Sequence, residues 1–159
     1  MANSWSEREF LVTNDPFGLE RFVAAQSGGT HDCAIAELRS GRKRSHWMWF
    51  VFPQLRGLGH SATAQRYGIT GLGEAQAYLQ HPVLGTHLNE CAQVLEALDR
   101  GNSATDIFGP TDAMKLRSSL TLFAQAAGAG SIFERLISKY FDGQRDEQTL
   151  AMLQPQGRA

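Results

Sequence analysis

The sequence predicts an all-α protein, a single compact multihelical domain of eight or nine mostly short helices with no significant sheet. Three observations carry this. Apolar residues recur at helical spacing, most clearly at Leu84, Leu88, Cys91, Leu95 and Leu98. Capping residues and glycines punctuate the chain at the intervals short helices need. The one apolar run of strand-like composition, Trp47 to Phe52, has no second convincing strand to pair with. With 159 residues, 42% of them hydrophobic, the chain is long enough to bury a core.

Residues 1–14 show no sustained period and read as an N-terminal tail, leaving 15–153 as the domain and 154–159 as a C-terminal tail. Asp15-Pro16 opens a helix with Leu19, Phe22, Val23 and Gln26 on one face, closed by Ser27-Gly28-Gly29. Thr30 caps the next, whose apolar residues are Cys33, Ile35, Ala36 and Leu38, and Gly41 suits its left-handed stop. The stretch Trp47–Phe52 then forms a short buried helix that anchors the fold through Trp47, Phe50 and Val51. Leu55–His60 is loop, Ser61 caps a short helix ending at Tyr67-Gly68, and Gly73–Gln80 forms another.

His81-Pro82 starts what reads as the longest helix, stopped by Arg100-Gly101. Its stripe reads as one face of a packed domain; a dimerisation seam is the sharper alternative, but the pattern stops after two heptads. Ser103–Asp106 opens a short helix ending near Gly109. Pro110-Thr111-Asp112 opens a separate long one with Met114, Leu116, Leu120, Phe123 and Ala127 facing inward. After Gly128 and Gly130, Ser131 and Glu134 form a capping box, and Asp146 caps a last short helix.

Fifteen basic against sixteen acidic residues exclude a global electrostatic attraction to nucleic acid or membranes. No apolar run approaches membrane-spanning length, and the N-terminus has charges where a signal peptide needs an apolar core, so a cytoplasmic location is expected. Cys33 and Cys91 lack metal or disulfide spacing and read as buried small hydrophobes. The five histidines are dispersed, and His81 and His87, six apart, fall on different faces of a helix. No metal site and no cofactor are expected. No phosphate loop, nucleophile elbow or metalloprotease motif is present.

One constellation could carry chemistry. Arg42, Lys43 and Arg44 lead through Ser45 and His46 into the tryptophan-rich run, a cationic lip beside aromatic planes. Lys115 and Arg117 lie on a helix dense in hydroxyls (Ser118, Ser119, Thr121). Brought together, Arg42, Lys43, His46, Lys115 and Ser118 would cradle a phosphate or carboxylate, with Trp47 or Trp49 as a stacking plane. His46 is also a base candidate. The function expected is binding, with hydrolysis as an extension, of a small anionic, phosphate-bearing or nucleotide-like ligand by a monomer or weak dimer. A non-enzymatic interaction module is an alternative, to be decided by the exposure of the tryptophans.

With these residues assembled, the chain resembles the domain of unknown function family numbered 1810, some of whose members carry a calpastatin-like label. The matching segments are Leu19 to Gln26, Gly41-Arg42-Lys43 through Ser45–Gln54, His81-Pro82 through Gly85, and Lys115–Phe123. The resemblance implies a single all-helical domain. It also implies that the lip, Arg21, Gln26, Gln54, His81 and Lys115 belong to a shared pattern. The segment Leu19–Gln26 is also similar to the helix that carries the catalytic glutamate in N-glycosidases acting on ADP-ribose-like substrates and riboflavin intermediates. That similarity implies Glu20 as the working carboxylate, with Trp47 or Trp49 stacking on the substrate.

Overall fold

The computed structural model describes residues 15–154, so the expected tail over 1–14 and most of that over 154–159 lie outside the described residues. Among the described residues the chain is all-helical: nine helices and no sheet. They are α1 (Glu20–Gln26), α2 (Thr30–Arg39), α3 (Met48–Val51), α4 (Ala62–Arg66), α5 (Leu72–Gln80), α6 (Leu84–Ala97), α7 (Ala104–Ala127), α8 (Ile132–Phe141) and α9 (Glu147–Leu153). The only extended pairing among the described residues is a single parallel bridge between Leu55 and Ile69.

The centre of the fold is α7, which packs against α5, α8 and α9, while α6 packs against α2, α5 and α8. From Ser118 to Ala124 every residue of α7 is buried, as in a helix enclosed on all sides. Aromatic rings link the layers. Phe22 meets Tyr78 edge-on at 5.1 Å, Tyr78 meets Phe123 at 5.3 Å, and Phe123 meets Phe133 at 5.8 Å. A second cluster joins Trp47, Phe52 and Phe108 through ring contacts of 6.2–6.5 Å, edge-on to Phe108.

Local chemistry sets the helix ends. Asp15 accepts from the Leu19 and Glu20 amides, capping α1 across an intervening turn in which Gly18 has φ 65°. Ser61 and Asp146 cap α4 and α9 through their side chains as expected. Ser103 and Asp106 form a reciprocal capping box at α7. The box expected at α8 is only half formed: Ser131 caps the Glu134 amide, but Glu134 accepts from Gly130 rather than from Ser131. The last carbonyls of α6 (Leu95, Glu96, Leu98) all accept from the Lys139 ammonium, a cation set at the negative end of the helix.

The structure corrects several local expectations. The longest helix is α7 rather than α6, because the two segments expected around Gly109 join through a kink at Gly109 (φ 80°, ψ 163°) and Pro110. Met114 and Ala127, expected inside, are exposed, Met114 at 72%. On α2 the buried positions are Ala34 and Leu38, one turn apart. Cys33 and Ala36 face outward, so Cys33 is an exposed thiol, whereas Cys91 is buried as expected. Of the expected anchors, Trp47 and Val51 are buried and Phe50 is half-buried, with Met48 and Phe52 completing the core contact.

Two positions turn these observations into tests. A Cβ on Gly85 would stand 2.1 Å from the Leu79 carbonyl oxygen, where α5 hands over to α6. Gly85→Ala is therefore expected to lower unfolding free energy by about 1–3 kcal/mol in urea titrations. Gly101→Ala, with nothing within 4 Å of the added carbon, should leave it unchanged. Ser119 is fully buried on α7 and its hydroxyl finds no partner among the described residues. Ser119→Ala is expected to be neutral or to raise stability by up to about 1 kcal/mol, and a loss of stability would mean that the hydroxyl is satisfied.

Candidate functional site

The cationic lip is built on a helix end. The Gly41 amide bonds to the Leu38 carbonyl (2.9 Å) and the Arg42 amide to that of Glu37 (3.1 Å), with Gly41 at φ 78°, a Schellman stop for α2. The chain thereby folds back over Glu37, whose carboxylate gathers it. Oε1 accepts from the Arg44 amide (2.7 Å), the Ser45 amide (2.9 Å) and the Trp47 indole (2.9 Å). Oε2 accepts from the Ser45 hydroxyl and the Cys33 thiol. Burial pushes the Glu37 pKa up, but the Ser45 hydroxyl, the Arg44 and Ser45 amides and the Cys33 thiol outweigh it and hold it at about 2.

A second anchor crosses to α7. The kink at Gly109 leaves the Ile107 carbonyl to accept the Lys43 amide at 2.7 Å. The Lys43 ammonium then lies 2.9 Å from Asp112 Oδ2, while Lys115, one turn further along α7, lies 3.7 Å from Oδ1. Each lysine also sits over a tryptophan: Lys43 Nζ is 5.0 Å from the Trp47 ring centre and Lys115 Nζ is 4.6 Å from that of Trp49. Lys115 and the half-buried Trp49 line a cleft with Gln54, Tyr67 and Gly68, which has room for about a single water (≈ 10 Å³).

Lys115 is thus brought beside the lip, 72 positions after Lys43 in the chain. Arg117 is not: two residues along the helix it points elsewhere and donates to the Gln144 and Arg145 carbonyls. Arg42, Arg44 and His46 are exposed, and Trp47 is buried at 1% exposure. Ser45 donates its hydroxyl to Glu37, and Ser118, buried, donates to the Met114 carbonyl.

The residues expected from the family pattern outside the lip are held by the protein itself. All five N–H donors of Arg21 are occupied, by the carbonyls of Arg66, Phe17, Gly18 and Gly68 and by the buried carboxylate of Glu74. Gln26 is buried between α1, α3, α5 and α6, donating to the Phe50 carbonyl (2.7 Å) and the Tyr78 hydroxyl (2.9 Å) and bonded through Oε1 to His87 Nδ1 (2.7 Å). His81 Nδ1 accepts from the Val83 and Leu84 amides and so caps α6. Glu20 stands exposed in the first turn of α1.

Sequence reasoning missed Glu37 and Asp112, the two carboxylates that organise the lip. It also missed the pairing of His31 with His87, whose rings stack at 3.7 Å with 6° between their planes. The available signal for Glu37 was its place one turn before a glycine helix stop. For Asp112 it was the i,i+3 spacing to Lys115.

The fold and lip define a class: an irregular all-helical protein with a lysine-covered aromatic cleft beside a helix stop. The family described as "Protein of unknown function (DUF1810)" matches residues 16–153, and the chain belongs to it. It is similar to the conserved hypothetical protein Rv1873 from Mycobacterium tuberculosis, whose crystal structure extends to 1.38 Å. The two share 55% identity, with 87% of this chain and 98% of that chain covered and a TM-score of 0.83. No curated protein matches the chain.

The Glu37 carboxylate makes the lip acid-sensitive. Its folded pKa lies below the ordinary 4.5, so its contribution is whole above that value and is lost as pH falls toward about 2. Discounted for its partial exposure, that contribution is about 1–2 kcal/mol. Glu37→Gln should lower stability near neutral pH by about this amount. The gap between variant and wild-type urea midpoints should then close on acidification across that window; a constant gap would assign the loss to packing alone.

Proposed function

We propose that the chain binds a small phosphate-bearing ligand with a planar ring at the cleft between the lip and α7. The observation that carries the reading is the meeting of Lys43 and Lys115 on the two oxygens of Asp112, with Lys115 lying over the half-buried Trp49. Asp112 neutralises one of the two ammonium charges, leaving one positive charge for an incoming anion, and the exposed Arg42 and Arg44 extend the positive field outward. The face of Trp49 is occupied by the Lys115 ammonium. An anionic group that draws Lys115 to itself frees that face, so phosphate binding and ring stacking are coupled. The cleft as it stands admits a single water, so entry of a ring requires this movement of Lys115. Trp47, being core, serves the site by fixing Glu37 and Lys43, and Trp49 is the stacking plane.

Thermal shift with inorganic phosphate, nucleoside monophosphates and ADP-ribose tests the reading. Ring-bearing phosphates should raise the unfolding temperature more than phosphate alone, with saturation at a hundred times Kd worth about 2.7 kcal/mol. Lys115→Met and Trp49→Leu should each weaken binding at least about tenfold, a loss of about 1.4 kcal/mol. Absence of any shift across the set, or binding that survives both substitutions, would remove the proposal.

A further inference from the structure

A cluster distant in sequence from the lip carries a separate inference. His31 lies in the first turn of α2, and His87 and Glu90 lie one turn apart on the face of α6 that meets it. One donor atom from each of the three falls within 4.8 Å of the other two. His31 Nε2 and Glu90 Oε1 are already 3.3 Å apart.

The protonation pattern of His87 follows from its buried neighbours. The Phe50 carbonyl can only accept, and it lies 2.7 Å from one amide terminus of Gln26, so that terminus is the NH₂ group. The Gln26 oxygen therefore faces His87 Nδ1 at 2.7 Å, and a hydrogen bond there requires the proton on Nδ1. In the neutral ring Nε2 then carries the free lone pair. A histidine held by its second nitrogen on a fixed protein oxygen, with the other nitrogen free, is the arrangement of a metal ligand with its orienting partner.

We propose that His87, His31 and Glu90 form a zinc site, with His87 Nε2, one ring nitrogen of His31 and a Glu90 carboxylate oxygen as ligands and the fourth position open. Two imidazoles and a carboxylate suit borderline cations such as Zn²⁺ rather than Mg²⁺ or Ca²⁺, which prefer all-oxygen shells. Three protein ligands with one position free is the pattern of zinc sites that exchange a ligand rather than of closed structural ones. Glu90 also lines a groove of about 350 Å³ between α2 and α6, bordered by Ile35, Arg39 and Val94.

Binding makes a geometric demand. A metal in the plane of the His87 ring is out of the plane of His31 while the rings lie parallel at 3.7 Å, so His31 must tilt out of the stack. His31 can do so because it stands in the first turn of α2, and the partner it leaves, Glu90, becomes a ligand itself. His87 stays fixed by Gln26.

The test is zinc titration of the full chain, stripped of metal by a chelator, in a non-coordinating buffer. Isothermal calorimetry supplies the stoichiometry, and nitrogen-15 NMR of the histidine rings supplies the site. One zinc per chain is expected, with the ring nitrogens of His31 and His87 shifting together. His31→Ala and Glu90→Ala, the first largely buried and the second exposed, should each weaken zinc at least about tenfold. Cys33→Ser should leave affinity unchanged, and excess Mg²⁺ should not compete. No stoichiometric binding, or zinc affinity that persists in both His31→Ala and Glu90→Ala, would overturn the proposal, as would loss of zinc in Cys33→Ser alone.

Discussion

The turn that forms the lip depends on the Glu37 carboxylate. Glu37 accepts from two backbone amides, a hydroxyl, a thiol and an indole, all supplied within ten positions of it along the chain. Apart from the Cys33 thiol, which comes from α2 itself, those donors belong to the segment that connects α2 to α3. Because a carboxylate accepts only, every donor it gathers is oriented without ambiguity. The result is a rigid turn that delivers Trp47 into the core and sends the side chain of Lys43 back toward α7. Each of the lip's further contacts, with the Ile107 carbonyl and with Asp112, begins from that placement.

Elsewhere the same economy recurs with different groups. Arg21 and the buried Glu74 tie the start of α1 to the connection between α4 and α5. Gln26 ties α1 to α3, α5 and α6. A buried ion pair is a weak source of stability, because desolvation offsets much of the attraction. Here Glu74 is compensated further by the Thr70 amide and hydroxyl, and Arg21 by four carbonyls. Short helices such as α1, α3 and α4 are too small to hold their angles by apolar packing alone. Polar side chains with every donor and acceptor matched fix those angles by direction, which apolar contacts cannot do. Arg21, Gln26 and His81, expected from the family resemblance as site residues, are thus each engaged by the protein's own backbone and side chains.

What was legible in the sequence follows from the range of the interactions involved. Caps, glycine stops and apolar periodicity act within one or two turns, so eight helix positions and the all-helical class could be read directly. The junction at Gly109 was misread as a gap, because a glycine and a proline mark the kink but not whether the axis continues beyond it. The faces of α2 and α7 were partly misassigned where small or flexible apolar residues (Ala34, Ala36, Met114) carry little periodic signal. The lip stood out through its clustered charge and aromatic content. Its organisers did not: Glu37, Asp112 and the His31–His87 stack are ordinary polar residues on helix surfaces. Their meaning comes from tertiary packing across separations of eight to seventy residues.

The two candidate sites differ in how they are held closed, and the difference bears on how each would respond to a ligand. At the lip, two cations are pinned by one anion and by two rings, so the empty site is electrostatically satisfied. A ligand must compete with Asp112 for Lys115 and with Lys115 for Trp49. Such a site would favour anions strong enough to draw an ammonium from a half-buried ion pair over weak or neutral molecules. At the histidine pair the empty state is held by stacking and by one long contact to Glu90, while the His87 lone pair has no such competitor. Selectivity there rests on the identity of the donor atoms rather than on displacement. The same buried glutamine lies between the two candidate sites, holding the Phe50 carbonyl of α3 on the side of the lip and His87 Nδ1 on the other.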